Sequence, residues 1–290
     1  MIGLALGALA GVLFGLLAVL IRVGLSKGVS PEVGAAVTST IALALVSVIA
    51  VVTGSVGDGV SVRDVVVFGL LGLIVPGLSS IVFVRAIGLA GAARAAVGVG
   101  AAPLLSFVLA VVLLDERLTW PLVIGAVLIV VGALSLSFDR RVPEGYRPLG
   151  FALAVACAGM FAIRDVAVRS SSADATAGPL VRTVISLSAA SLVLWVFVAL
   201  TQPGRRPIRL RQVARAFAPA GLCLGAAYAT LLVALDRAPV TIVAPTNATQ
   251  ALWGVVLGAA IIGRVEAVGP RLVAASTMIV AGGVLIGGFR

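Results

Sequence analysis

The amino-acid sequence predicts an all-helical integral membrane protein, with ten transmembrane helices arranged as two inverted five-helix repeats. Three observations carry that prediction: the scarcity of charge, the length of the apolar runs, and the return of small residues at a fixed offset. Of the 290 residues, 61% are hydrophobic and 11% charged, whereas a soluble domain carries about 25% charged residues. Mean hydropathy is +1.23. A membrane barrel would show strands of about 10 residues with alternating polarity, and that period does not appear.

A helix needs about 20 apolar residues to cross about 30 Å of hydrocarbon. Ten runs of this kind lie near residues 2–22, 33–53, 65–85, 93–114, 119–137, 148–168, 179–200, 213–234, 239–262 and 269–288. The first, MIGLALGALAGVLFGLLAVLIR, has no charged leading region and is longer than the apolar core of a secretory signal, so it reads as a retained helix.

A shift of 147 residues lays Gly7, Gly11 and Gly15 over Ala154, Ala158 and Ala162, Phe14 over Phe161 and Arg22 over Arg169. After a small insertion, Ala86 and Ala90 fall on Ala234 and Ala238, Glu116 on Glu266 and Gly132 on Gly282. The chain therefore divides into units 1–139 and 146–290, joined through DRRVPEGYRP. Because five is odd, the second unit enters the membrane from the opposite side. That is an inverted repeat, and it places a substrate site near the midplane between the halves. GALAGVLFG, GLCLG and GVVLG supply GxxxG spacings, whose small residues let helix backbones approach closely in lipid.

Composition also excludes function classes. The net charge of +10 comes from 20 Arg and a single Lys, spread through short loops rather than gathered on the one folded surface that nucleic acid requires. The densest group is Arg205, Arg206, Arg209, Arg211 and Arg215 in GRRPIRLRQVAR. There is no histidine, the commonest general base and metal ligand. Cys157 and Cys223 have no CxxC partner. No enzyme, cofactor or metal centre is expected, and the lack of a GxxxxGK[ST] motif argues against ATP-driven transport by this chain alone.

Two stretches carry a family resemblance. FVRAIGLAGAARAAVGVGAAPLLSFVLAVVLLDERLTWPLVIGAVLIVVGALSLS in the first half is followed in the second by ATLLVALDRAPVTIVAPTNATQALWGVVLGAAIIGRVEAVGPRLVAASTMIVAGGVLIGG. Each resembles the later part of an EamA repeat of the drug/metabolite transporter superfamily: a small-residue helix, an internal proline, an acidic-Arg pair and an apolar helix with glycine. The likeness covers nearly the whole chain. It implies ten helices and outward carriage of small metabolites, often amino acids, across the cytoplasmic membrane. One departure is that Gly263, Arg264 and Glu266 stand where the first half has Asp115, Glu116 and Arg117. Glu116 and Arg117 lie in a connection of about four residues and read as helix-end caps.

Depth ranks the polar residues, because a charge at the bilayer centre costs at least about 2.5 to 3.5 kcal/mol. Arg22, Arg85, Arg94 and Arg182 each border a long apolar run and are expected to anchor helix ends by reaching headgroups. Arg164 and Asp165 differ, since GFALAVACAGMFAI before them is too short to span alone. Two readings stand: Asp165 pairs with Arg169 one turn on, or Arg164 lines the cavity and meets a substrate carboxylate or phosphate, with Asp165 as a proton or ammonium partner.

The ninth span carries VAPTNATQALWG, in which Asn247, Gln250 and Trp253 recur on one helical stripe bordered by Thr246. Amides facing lipid would be unpaired, so the stripe faces either protein or a substrate wall. Pro245 favours the wall, because it interrupts the helix as transporter sites commonly do; Pro103 in the first half has only small apolar neighbours. Tyr228 adds either a site hydroxyl or a buried bond to backbone.

The expected function is secondary transport, as an exporter of a small polar metabolite such as an amino acid, by alternating access. The alternative is translocation of a lipid-linked or lipid-headgroup substrate. Expected partners are the small-molecule substrate and membrane lipid, with a homodimer left open; the expected location is the cytoplasmic (inner) membrane, multi-pass.

Loops joining helices 1-2, 3-4, 5-6, 7-8 and 9-10 hold roughly twice as many Lys and Arg as the opposite side, which puts both termini outside by the positive-inside rule. The family resemblance implies cytoplasmic termini. A tag on Arg290 that is protected from added protease in intact cells supports the family orientation, and one that is cut supports the charge count.

Overall fold

A computed structural model describes residues 2–57, 59–102, 104–105, 108–109, 120–135, 145–201, 210–238, 243, 246–263 and 269–288. They form ten helices: α1 Ile2–Leu25, α2 Pro31–Val52, α3 Val62–Ala90, α4 Ala92–Val99, α5 Trp120–Ser135, α6 Pro148–Ser172, α7 Pro179–Thr201, α8 Leu210–Arg237, α9 Gln250–Ile261 and α10 Pro270–Gly288. Among the described residues, α1, α2, α3, α6, α7 and α8 are long and apolar enough to cross a membrane. Asp115, Glu116, Arg117, Arg264, Glu266, Pro103 and Pro245 lie outside the described residues.

Local chemistry sets several helix ends. Ser30 and Pro31 open α2, with Ser30 accepting from the Val33 amide. At α3, Ser61 and Asp64 form a reciprocal capping box, and the Asp64 carboxylate also accepts from the Thr176 hydroxyl at 2.8 Å and the Ala177 amide at 3.1 Å. The start of the third span is thereby tied to the connection after the sixth.

The packing repeats under exchange of the halves. α1 packs on α8 and α9, and their counterparts α6, α3 and α4 pack likewise; α2 lies beside α7, α4 beside α9 and α5 beside α10. Along α1, Gly3 faces Ala238, Gly11 faces Thr249 and Gly15 faces Trp253, so α1 and the ninth span run the same way. Along α6, Gly150 faces Ala90, Ala154 faces Gly98 and Gly159 faces Leu105, so α6 and α4 also run the same way. The first helix of each unit thus runs parallel to the fourth span of the other, the relation expected of inverted five-helix repeats.

The polar ties repeat as well. Arg22 Nη1 donates to the Gly88 carbonyl at 3.2 Å, and Arg169 Nη1 donates to the Leu235 carbonyl at 3.1 Å. Each joins the first to the third helix of its own unit across the same 66 residues. The second and third helices are joined by Arg85–Glu32 in one unit and by Arg182–Asp236 in the other, with the charges exchanged between helices.

Two of the four arginines expected at headgroups are buried in protein instead. Arg94 is 1% exposed and lies 5.5 Å from the Tyr146 ring centroid; Arg182 is 4% exposed, donates to Ser172 at 2.6 Å and to Asp236, and sits over Phe68. An aromatic ring borders Arg94, and polar and aromatic groups of the bundle surround Arg182.

The glycine seam gives a direct test. A Cβ on Gly11 would lie 2.5 Å from Thr249 Oγ1 and 3.0 Å from two backbone carbonyls, whereas one on Gly69 meets nothing within 4 Å. Gly11→Val is expected to cost about 1–3 kcal/mol, read as a lowered melting temperature in detergent, with Gly69→Ala unchanged.

Candidate functional site

The third span is broken where the halves meet. Pro76 carries no amide proton to continue the helix ladder, Val75 leaves helical geometry at φ −138°, ψ 115°, and the chain passes Leu73–Leu78 as a π-type turn. Interrupted helices in lipid persist only where the freed backbone groups find partners. Here the Tyr228 hydroxyl, from α8, donates to the Val75 carbonyl at 3.0 Å. On the other side α7 closes on the break, where Gly72 and Gly77 admit Ser186 and Ala190. The Ser186 hydroxyl donates to the Phe68 carbonyl at 2.9 Å.

Beside the break lies a narrow cavity of about 30 Å³. Its walls come from both halves: Phe14, Leu17 and Ile21 of α1, Ala35 and Thr38 of α2, the Val75–Val84 stretch of α3, Phe161 and Arg164 of α6, Leu224 and Tyr228 of α8, and Gln250 of α9. That volume holds about two waters. A metabolite enters only if the walls part, so this is a contracted conformation rather than the roomy chamber that the carrier reading anticipates.

Arg164 is the cation of the wall. Its Nε and Nη2 lie 2.8 Å and 2.7 Å from Oδ1 of Asp165, and its guanidinium stacks near Phe161 at 5.1 Å and Tyr228 at 5.5 Å. Arg164 is 3% exposed and Asp165 4%; a buried charge of either sign is tolerable only with such partners. The i, i+4 pair of Asp165 with Arg169 does not form, because Arg169 turns to the Leu235 carbonyl at the helix end. Phe83 meets Phe161 edge-on at 6.5 Å.

Of the residues singled out in the sequence, Arg164, Tyr228 and Gln250 come together at the cavity, with Asp165 behind Arg164. The others face elsewhere. Thr246 packs on Gly7, its hydroxyl donating to the Val243 carbonyl at 3.0 Å, and Asn247 is buried where Gly11 approaches its backbone. Trp253 places its Cβ on Gly15 and is 37% exposed. The stripe is not one face of a regular helix: the Thr249 and Ala251 amides bond three residues back, and Gln250 lines the cavity whereas Asn247 does not.

Sequence reasoning missed Thr38, Ser79, Ser80 and the broken third span. Pro76-Gly77 inside an apolar run was a usable signal for the break. The hydroxyl residues carry no pattern of their own.

Comparison with known proteins agrees with this architecture. Residues 1–138 match the EamA-like transporter family, so the recognition drawn from the sequence holds over the first half, consistent with the drug/metabolite transporter superfamily. A protein of known crystal structure is similar over 96% of this chain and 94% of its own, with a TM-score of 0.69 and 24% identity; at that identity the likeness is one of fold. No curated protein matches.

Tyr228→Phe removes the donor that satisfies the Val75 carbonyl and is expected to cost about 1–3 kcal/mol, the penalty for an orphaned buried acceptor. Unfolding of the purified protein in mixed detergent measures it; an unchanged midpoint shows that the break does not depend on this bond.

Proposed function

We propose, on the premise that residues 1–138 match a family of small-molecule membrane transporters rather than enzymes, that this multi-pass protein is a secondary exporter of a small polar metabolite in the cytoplasmic membrane. The carrying observation is the narrow cavity, whose wall takes three helices from each half and includes Arg164, Tyr228 and Gln250.

Alternating access accounts for that geometry. Units 1–139 and 146–290 rock against each other about a site near the midplane, as inverted repeats allow, and the contracted cavity is the occluded stage between openings. The glycine-lined faces of α1 and α6 supply closely apposed surfaces for such a movement. Amino acids and related metabolites fit the polar edge, and the apolar remainder of the wall accommodates a side chain.

The test is a resistance screen in cells with and without the gene, followed by efflux measured for the metabolite it identifies. Gln250→Ala is expected to lower efflux roughly tenfold, the equivalent of about 1.4 kcal/mol of recognition, with membrane expression intact. Val256→Ala, on the exposed face of the same helix, is expected to match the wild type. Equal rates in both variants remove the cavity from the transport path.

A further inference from the structure

We propose that the cavity selects an amphipathic organic anion, a small molecule with one acidic group on an apolar body, and that Asp165 occupies Arg164 in its absence as a resident stand-in. The proposal rests on the carrier reading above and names the substrate class for it.

The sign of the site comes first. Arg164 is the cation of the cavity wall, and no carboxylate lines that wall among the described residues. A substrate acid therefore meets an opposite charge, whereas a substrate amine meets a like one in surroundings of low dielectric.

The resident pair is geometrically second-best. Successive residues on a helix diverge by about 100°, and Arg164 reaches its neighbour by placing both Nε and Nη2 on a single oxygen, Oδ1. Nη1 takes no part in the pair. A free carboxylate brings two oxygens and can form the parallel fork-to-fork pair that suits a guanidinium. Exchange from Asp165 to substrate thus improves the geometry, and the guanidinium stays in place because Phe161 and Tyr228 lie against it and Tyr228 is itself held by Val75.

A second observation is independent of the arginine. Thr38 is 3% exposed, borders the same cavity, and its Oγ1 has no hydrogen-bond partner among the described residues. A buried hydroxyl without a partner is uncommon in folded proteins, and an acceptor oxygen entering the cavity supplies one. Phe14, Leu17, Phe83 and Leu224 make much of the wall apolar beside Ser79, Ser80 and Gln250, which fits a hydrocarbon body better than a second charge.

Three probes that share a phenyl ring separate these features: 3-phenylpropanoate (acid only), L-phenylalanine (acid and amine) and 2-phenylethylamine (amine only). Binding to the full chain in lipid nanodiscs is measured calorimetrically. The acid is expected to bind at least about tenfold tighter than the amine, with phenylalanine between them. Arg164→Gln is expected to abolish that preference. Asp165→Asn, which removes the competing resident anion, is expected to tighten binding of the acid, whereas a merely structural Asp165 would weaken it when lost. Thr38→Val, a near-isosteric change at a hydroxyl with no bond to lose, keeps the proposal testable if either charge variant fails to fold; it is expected to weaken acid binding severalfold.

Amine binding equal to the acid, unchanged acid binding in Arg164→Gln or Thr38→Val, weaker acid binding in Asp165→Asn, or no binding of any probe overturns the proposal. If efflux still depends on Gln250 in that event, the anion assignment alone has failed and the carrier reading stands. Loss of both removes the carrier as well.

Discussion

Hydrocarbon offers no partner to a polar atom, and that constraint arranges most of the interior. Where the third span breaks at Val75, the Tyr228 hydroxyl takes the freed carbonyl. Where α3 begins, Asp64 gathers donors from Ser61, Thr176 and Ala177. Arg182, buried in the bundle, is enclosed by Ser172, Asp236 and Phe68. At the cavity Thr38 Oγ1 has no hydrogen-bond partner among the described residues, and Arg164 takes its own neighbour Asp165 as counter-ion.

The scaffold around that place is symmetric and its chemistry is not. Phe14 and Phe161, one repeat apart, both line the cavity, yet Leu17 and Arg164, separated by the same interval, put hydrocarbon on one side and a cation on the other. Small residues on α1 and α6 produce the symmetric part by letting each helix lie close to two helices of the opposite unit. A single charged substitution within one copy then gives the chamber a polar edge without disturbing the packing that both copies share.

Most of the architecture was legible in the sequence because it follows from lengths and spacings. Ten apolar runs mark the ten helices, and Gly7, Gly11 and Gly15 recurring as Ala154, Ala158 and Ala162 mark the duplication. The depth argument singled out Arg164 and Asp165 because too few residues precede them to span alone, and they are buried side by side. The facing of α9 was not legible: its start is irregular over 246–251, and Gln250 reaches the cavity while the Asn247 backbone lies against Gly11. Nor were the burial of Arg94 or the hydroxyl of Thr38 readable, since each depends on which helix lies opposite. Pro76 was readable in principle, but a proline in an apolar run does not say whether the helix bends, breaks or continues, as Pro219 within the unbroken α8 demonstrates.

The twin ties from Arg22 to Gly88 and from Arg169 to Leu235 end on main-chain oxygens. Every amino acid carries that oxygen, so no exchange of side chain at 88 or 235 can delete the acceptor while the helix persists. A saturation scan of this protein would thus register only the arginine of each tie, and its silent partner would look dispensable in any survey that reads genotype alone.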